Sequence, residues 1–395
     1  MDSLSLVRPL ASAIYGRVLL IRHRSSGRYY ALKVMSLPHM RAHRAVTGPY
    51  VQEDGETELQ ILRTLGSNFV YSSNEESTEE RNESDVSSWS VSPVWNNGVD
   101  DKTVTAASQS GSRHLLTLHH DFVDCTTNTR CLLFDYCPYG DLFAHVGSPN
   151  DVSLDVARSW FGQIASAVRF LHARNVAHRD LSLENVLLDS SRRCRLADFG
   201  LASATGSCCF GTRVGKVLYM APEVFSRPPC RPDASAIPTT EGCYNGLQAD
   251  IWSLGVILFI LVTGIPPFEK ASGADARFRL LSKPGGSVRD LFRVWGQESR
   301  LPCELRALLD RMLRVDPLQR PTADQVCDHE WLVDKNPTRV AEEMPTKAGE
   351  KRPSEAEPEE EEDGENLEPL KMSNRRDESW TCGSPRSNKR VKRME

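Results

Sequence analysis

The order His178-Arg179-Asp180, then Asn185, then Asp198-Phe199-Gly200 constrains this chain of 395 residues more than any other feature. Asn185 follows Asp180 by five positions and Asp198 follows it by eighteen. An acid, an amide and a second acid at that spacing suit one task. Asp180 can accept a proton from an attacking hydroxyl, and Asn185 and Asp198 can hold magnesium ions that neutralise a transferring phosphoryl group. Either tripeptide alone would arise by chance. The ordered set with its flanking apolar runs would not.

Longer stretches agree with it: YCPYGDLFAHV at 136–146, YMAPEVF at 219–225, ADIWSLGVILFILVTGIPPFE at 249–269 and RMLRVDPLQRPTADQVCDHEWL at 311–332. With these the chain resembles the protein kinase superfamily from about residue 8 to about residue 333. Within it the chain is most similar to the serine/threonine type and, more loosely, to the calcium/calmodulin-dependent group. The resemblance implies an α+β fold of two lobes, a small strand-rich N-lobe over a large, mainly helical C-lobe, with Mg-ATP in the cleft.

The length accommodates one such two-lobed unit, and a hydrophobic content of 39% is ample for its core. A net charge of −5 gives no global field favouring nucleic acid or a membrane surface. The eleven cysteines form no CxxC pair and no zinc-finger spacing. The N-terminus MDSLSLVRPL lacks the basic start and apolar core of a signal peptide. Free thiols in a reducing, intracellular compartment follow. The long apolar run Ile251 to Ile265 has fifteen residues, short of the roughly 20 a membrane span needs. It reads as a buried helix.

Residues 8–35 alternate apolar and polar positions and read as strands joined by turns, and Leu59, Leu62 and Leu65 share one helical face with Glu58 beside them. Residues 67–113 are rich in Ser, Asn, Glu and Thr without apolar periodicity, and read as a disordered insertion in the small lobe. Trp89 and Trp95 within it are isolated apolar residues or a short docking segment. Strands resume at 114–123 and 131–136, and helical periods cover 153–174, 249–264 and 303–314. A second insertion, 226–247, is rich in Pro, Thr and Ala. The tail, 336–395, is acidic and then basic, and is expected to be disordered. Its end, Lys389-Arg390-Val391-Lys392-Arg393, is either a nuclear import signal or a solvated basic run, so the expected location is cytoplasmic, nuclear or both.

The family's phosphate loop, Gly-x-Gly-x-x-Gly-x-Val, here reads Ala11-Ser12-Ala13-Ile14-Tyr15-Gly16-Arg17-Val18. Two of three glycines are alanine, which adds a methyl and restricts φ where backbone must approach phosphate. Weaker ATP binding is expected, since Gly16, Tyr15 and Val18 remain. By resemblance, Lys33 grips the α- and β-phosphates and pairs with Glu58, with Glu56 and Glu53 as alternatives if the helix register slips. Phe134 would guard the back of the adenine pocket, the backbone of Asp135 and Cys137 would bond the adenine edge, and Val18, Ala31 and Leu187 would sandwich the ring. Each of these apolar residues could equally be ordinary core.

The catalytic loop departs from the family pattern, His-Arg-Asp-Leu-Lys-Pro-Glu-Asn. Here Ser182 stands where the pattern has its lysine, and Lys216 stands where the later peptide-docking loop has a threonine. The hydroxyl and the cation have exchanged places. Lys216 is expected to point into the site and restore the lost charge. The other reading is a solvated loop lysine beside a weakened pocket.

The resemblance also pairs Glu223 with Arg320 as a buried ion pair and makes Asp250 a tether for the HRD loop. Arg179 would order a phosphorylated activation segment, with Thr212 as the phosphoacceptor of an upstream kinase and Ser203, Thr205 and Ser207 as alternatives. Cys208-Cys209 reads as a redox handle or as two inert thiols. Glu184 and Asp141 could receive an arginine upstream of the target hydroxyl, which suits a basophilic kinase acting on protein substrates. The competing class is a pseudokinase scaffold. The missing glycines and lysine favour it, and the intact base and metal ligands oppose it.

Overall fold

The computed structural model describes residues 4–66, 111–147, 152–211, 213–228, 242–294 and 301–333. Trp89, Trp95, Thr212, the bulk of both insertions and the 336–395 tail lie outside them.

The fold is the two-lobed one. The alternating residues near the N-terminus form β1 (Leu4–Ala13), β2 (Gly16–His23) and β3 (Tyr29–Ser36). The first strand starts at Leu4, ahead of the expected residue 8. With β4 (Leu118–Asp124) and β5 (Thr129–Asp135) they make an antiparallel sheet in the order β1-β2-β3-β5-β4. The β1–β2 hairpin closes at the Ala13–Gly16 pair and leaves Ile14 and Tyr15 at its tip. Gly16 is required by close approach, because a Cβ there would collide with the Val34 carbonyl oxygen on β3.

Helix α1 (Gly55–Gly66) packs beneath this sheet. Asp54 starts it: one carboxylate oxygen accepts from the Glu56 N–H at 3.0 Å and the other from the Thr57 hydroxyl at 2.9 Å. Leu59, Ile61 and Leu62 are buried, as the helical spacing requires, and Glu58 is buried with them. A 3₁₀ turn spans Gly111–His114, with Gly111 buried, so residues 111–113 belong to the folded chain and not to the insertion expected to run to 113.

The large lobe is built on α2 (Leu154–His172), capped by Ser153, α3 (Gly246–Thr263) and α4 (Cys303–Met312). The Asn245 side chain caps α3 at the Gln248 N–H, and Gly264, at φ 72°, ends it in the left-handed conformation that glycine adopts without penalty. This helix starts three residues before the expected 249 and takes in the end of the second insertion. Its mean hydropathy of 1.8 would suit a membrane span, but 83% of it is buried inside the lobe. It is the core helix that the apolar run implied. A two-stranded antiparallel ribbon, β6 (Val186–Leu188) and β7 (Cys194–Leu196), carries the catalytic loop and the Asp198 turn side by side at one end, where Val186 lies opposite Leu196.

Candidate active site

Strand register assembles the upper half of the site. Val18 lies directly opposite Lys33 across β2 and β3, and Ala31 lies opposite Phe134 across β3 and β5. Ala31 and Lys33 are two apart on one strand, so all four share one face of the sheet. Lys33 Nζ is 2.8 Å from both Glu58 carboxylate oxygens and 3.8 Å from Asp198 Oδ1. Burial alone would push the Lys33 ammonium toward neutrality. The Glu58 carboxylate and then Asp198 outweigh it and hold the lysine above its usual range. Asp198 likewise sits below the ordinary carboxylate range: burial opposes this, and the Lys33 charge prevails. The helix register does not slip, because Glu56 turns outward to Arg130 at 3.1 Å.

Glu53 has a place that the sequence did not reveal. Its side chain lies against Gly200, and the next residue, Asp54, donates its N–H to the Gly200 carbonyl at 2.9 Å. Burial first, and then the charge of Asp198, raise Glu53 to about 7. The start of α1 is thus stitched to the Asp-Phe-Gly turn. Tyr15 also differs from a simple loop-tip aromatic. It is buried, and its hydroxyl donates to the Glu53 carbonyl. Burial and the nearby Glu53 charge push its phenol up to about 12. Ala11 and Ala13 continue β1 opposite Val18 and Gly16, after a shift in register between Pro9 and Ala11.

The lower half hangs from Asp250 on α3. Its buried carboxylate accepts the His178 and Arg179 N–H groups, both at 2.8 Å, and one oxygen lies 3.0 Å from the His172 ring. The His178 ring donates Nε2–H to the Ala197 carbonyl at 3.1 Å and packs against Phe199 at 5.1 Å between ring centres. Loop and turn are thereby fixed to each other. Arg179 and Asp198 both have φ of 66°, a left-handed conformation that costs of order 1–3 kcal/mol for a non-glycine residue. Two such residues flank the reacting groups.

Asn185 donates Nδ2–H to the Asp180 carbonyl at 2.7 Å and to Asp180 Oδ2 at 2.8 Å. Its Oδ1, a hard oxygen, is the atom that could ligate, and its one side-chain partner among the described residues is the Lys216 ammonium at 3.2 Å. An amide oxygen and the Asp198 carboxylate fit magnesium, which takes few protein ligands and completes its shell with phosphate and water. Lys216 does point in. Its Nζ lies 3.0 Å from Asp180 Oδ2, 2.9 Å from Ser182 Oγ and 3.2 Å from Asn185 Oδ1, and its backbone N–H donates to Asp180 Oδ1 at 3.0 Å.

Asp135 ends β5 and Cys137 follows it by two residues. Phe134 and Cys137 are buried, and burial pushes the Cys137 thiol up to about 12. Asp135 places its side chain 2.7 Å from the His119 ring. Asp141 bridges to Leu187 through the backbone and accepts the Ala144 N–H at 2.9 Å, which sets the floor beside Leu187. Away from the site, Arg320 meets both Glu223 oxygens at 2.7 and 2.8 Å. Arg179 donates to the Tyr244 hydroxyl at 2.9 Å. Tyr244 was not singled out from sequence, because no local pattern marks it.

A family model described as protein kinase domain matches residues 102–332, more than half the chain. Lys33 and Glu58 lie upstream of that match, and β3 and α1 bring them to Asp198. Human NUAK family SNF1-like kinase 2 is 33% identical over 231 residues, 58% of this chain and 32% of that protein. Serine/threonine-protein kinase kin-29 of Caenorhabditis briggsae is 33% identical over 210 residues, 53% of this chain and 23% of that protein. Serine/threonine protein kinase OSK3 of Oryza sativa subsp. indica is 28% identical over 338 residues, 85% and 51% respectively. The chain therefore spans at most about half the length of these relatives.

Proposed function

The chain belongs to the protein kinase domain family, and we propose that it transfers the γ-phosphoryl group of Mg-ATP to serine or threonine hydroxyls of proteins. The observation that carries this reading is the convergence of Lys33, Glu58 and Asp198 above Asp180 and Asn185. Lys33, held by Glu58, clamps the α- and β-phosphates. Asn185 Oδ1 and Asp198 hold magnesium, which supplies charge neutralisation on the phosphates. Asp180 orients the attacking hydroxyl and takes its proton. The oxygen–phosphorus bond to the acceptor forms as the bond to the β-phosphate oxygen breaks, and ADP leaves.

A preference for basic substrates is supported by Glu184, which lies against Tyr219 on the segment that would receive peptide. The Glu184 Oε2 is buried without a hydrogen-bond partner among the described residues, so an arginine guanidinium there would meet an available carboxylate oxygen. An upstream kinase acting at Thr212 remains part of the proposal, with Arg179 as the receiving cation.

The test is γ-phosphoryl transfer from Mg-ATP to myelin basic protein by the wild-type chain and by Asp198→Ala. Transfer that disappears in the variant supports the reading. Equal, background-level transfer by both, even after treatment with an activating kinase, would move the chain to the scaffold class.

A further inference from the structure

Lys216 belongs to the activation segment, between Asp198 and Glu223, and not to the catalytic loop whose charge it completes. One residue of that segment holds both oxygens of the Asp180 carboxylate, one through its backbone N–H and one through its ammonium, each at 3.0 Å. Ser182 is fully buried, and its hydroxyl is 2.9 Å from the ammonium. The short serine side chain leaves the volume that Nζ fills, so a lysine at 182 and a lysine at 216 cannot both occupy it. Gly215 sets the approach. It sits at φ 88°, and a Cβ there would lie 2.6 Å from the Arg179 carbonyl oxygen and 3.4 Å from Asp180 Oδ1. Only glycine lets the segment come this close. Beyond Lys216 the segment is tied down where the Ser253 hydroxyl donates to the Tyr219 carbonyl at 2.8 Å.

We propose that the activation segment, through Lys216, delivers the cation that the catalytic loop lacks, so that the transfer site is complete only while the segment is docked. Resting on the phosphoryl-transfer reading above, this makes Lys216 a positioning and charge-supplying residue for Asp180. Were the cation on the catalytic loop, it would stay beside Asp180 whatever the segment did. Here an undocked segment withdraws the ammonium and the backbone N–H together. The Lys33–Glu58–Asp198 grip on nucleotide makes no hydrogen bond to Lys216, whose link to the metal ligands is its 3.2 Å contact with Asn185 Oδ1. Segment movement would therefore switch transfer and leave nucleotide binding in place.

The test uses the full chain with Lys216→Thr, Ser182→Lys and the exchanged double variant, read as kcat, KM for ATP and thermal midpoint. Lys216→Thr is expected to lose about 100-fold or more in kcat with KM for ATP within about threefold. Ser182→Lys alone, with two ammonium groups competing for one pocket, is expected to lose activity as well. The double variant is expected to recover most of it, a rescue that a merely structural lysine would not produce. Gly215→Ala should cut kcat sharply in the wild-type chain and much less in the exchanged double variant, where the cation no longer rides on the segment. Wild-type kcat retained by Lys216→Thr overturns the proposal, and so does a double variant no better than Lys216→Thr. Equal cost of Gly215→Ala in both backgrounds overturns the docking half of it. Transfer by the wild-type chain that depends on Asp198 keeps the kinase reading standing in each of these cases. Its absence would remove both.

Discussion

The β1–β2 hairpin and the catalytic loop both depart from the family pattern, and only one departure is made good. In the loop, the cation missing at Ser182 returns from Lys216, 34 positions away. In the hairpin, Ala11 and Ala13 stay paired in the strand opposite Val18 and Gly16, where each adds a methyl that glycine would lack. The difference is physical. A charge acts through space, so any element whose side chain reaches the pocket can supply it. Conformational freedom and the absence of a Cβ are properties of one residue at one place, and no neighbour can lend them. A lost charge is therefore weak grounds for calling a site dead until the fold is known, whereas a lost glycine acts directly on how closely the backbone nears a ligand.

The largest expected effect tests the ground that both regions share. Lys33→Ala removes the cation between Glu58 and Asp198, and no other lysine or arginine forms an ion pair with either among the described residues. Here compensation of the Lys216 kind is not available. Transfer should fall by about 100- to 1,000-fold in kcat/KM. A loss below tenfold would mean that phosphate is held elsewhere, and the comparison would lose its reference point.

Asp250→Ala comes next. The catalytic loop can accept a cation from outside because its backbone is fixed from α3. The substitution leaves the buried His178 and Arg179 N–H groups without their acceptor, at about 1–3 kcal/mol each. Urea unfolding should show a loss of a few kcal/mol, with turnover reduced in the fraction that remains folded. Unchanged stability would mean that the loop is held by something other than this carboxylate.

Gly16→Ala probes the one glycine that the hairpin keeps. Its methyl would meet the Val34 carbonyl and force β2 from β3, a strain of about 1–3 kcal/mol. Since Val18 and Lys33 face each other on those strands, KM for ATP should rise by about tenfold, following from a strain of that size. A variant with wild-type KM would show that the hairpin tolerates spreading, and that its glycines matter less than the comparison assumes.

How much of this was legible without coordinates divides along the same line. Asp180, Asn185, Asp198, Lys33 and Glu58 were readable because each sits at a fixed offset inside a motif, and strand or helix period then carries it to the cleft. The inward turn of Lys216 was legible as an exchange of residue types, although the distances needed the fold. Glu53 and Tyr15 were not readable in their actual roles. Glu53 approaches Gly200 only because α1 begins at Asp54 with its N–H on the Gly200 carbonyl, and Tyr15 is drawn under the sheet by the Glu53 carbonyl. Both depend on contacts between segments remote in sequence, for which no periodicity exists. Element ends were misjudged where residues outside the apolar pattern decide them: Gly111 opens a 3₁₀ turn, and the Asn245 side chain caps α3.

The smallest effect is the one that separates the two regions most cleanly. Ala11→Gly and Ala13→Gly return the missing freedom to the hairpin, and they should act with opposite signs on two measurements. Glycine in a strand costs about 0.5–1 kcal/mol relative to alanine through the entropy lost on folding, so the thermal midpoint should fall slightly. Removing the methyls lets the hairpin backbone close on phosphate, so KM for ATP should drop by about two- to fivefold, with kcat nearly unchanged. Lys216→Thr is expected to do the reverse, lowering kcat and sparing KM. If the glycine variants leave KM where it was, the methyls do not obstruct the nucleotide. The hairpin would then be as well compensated as the loop, by a route that the inward-facing Tyr15 and its bond to Glu53 would be the first place to look for.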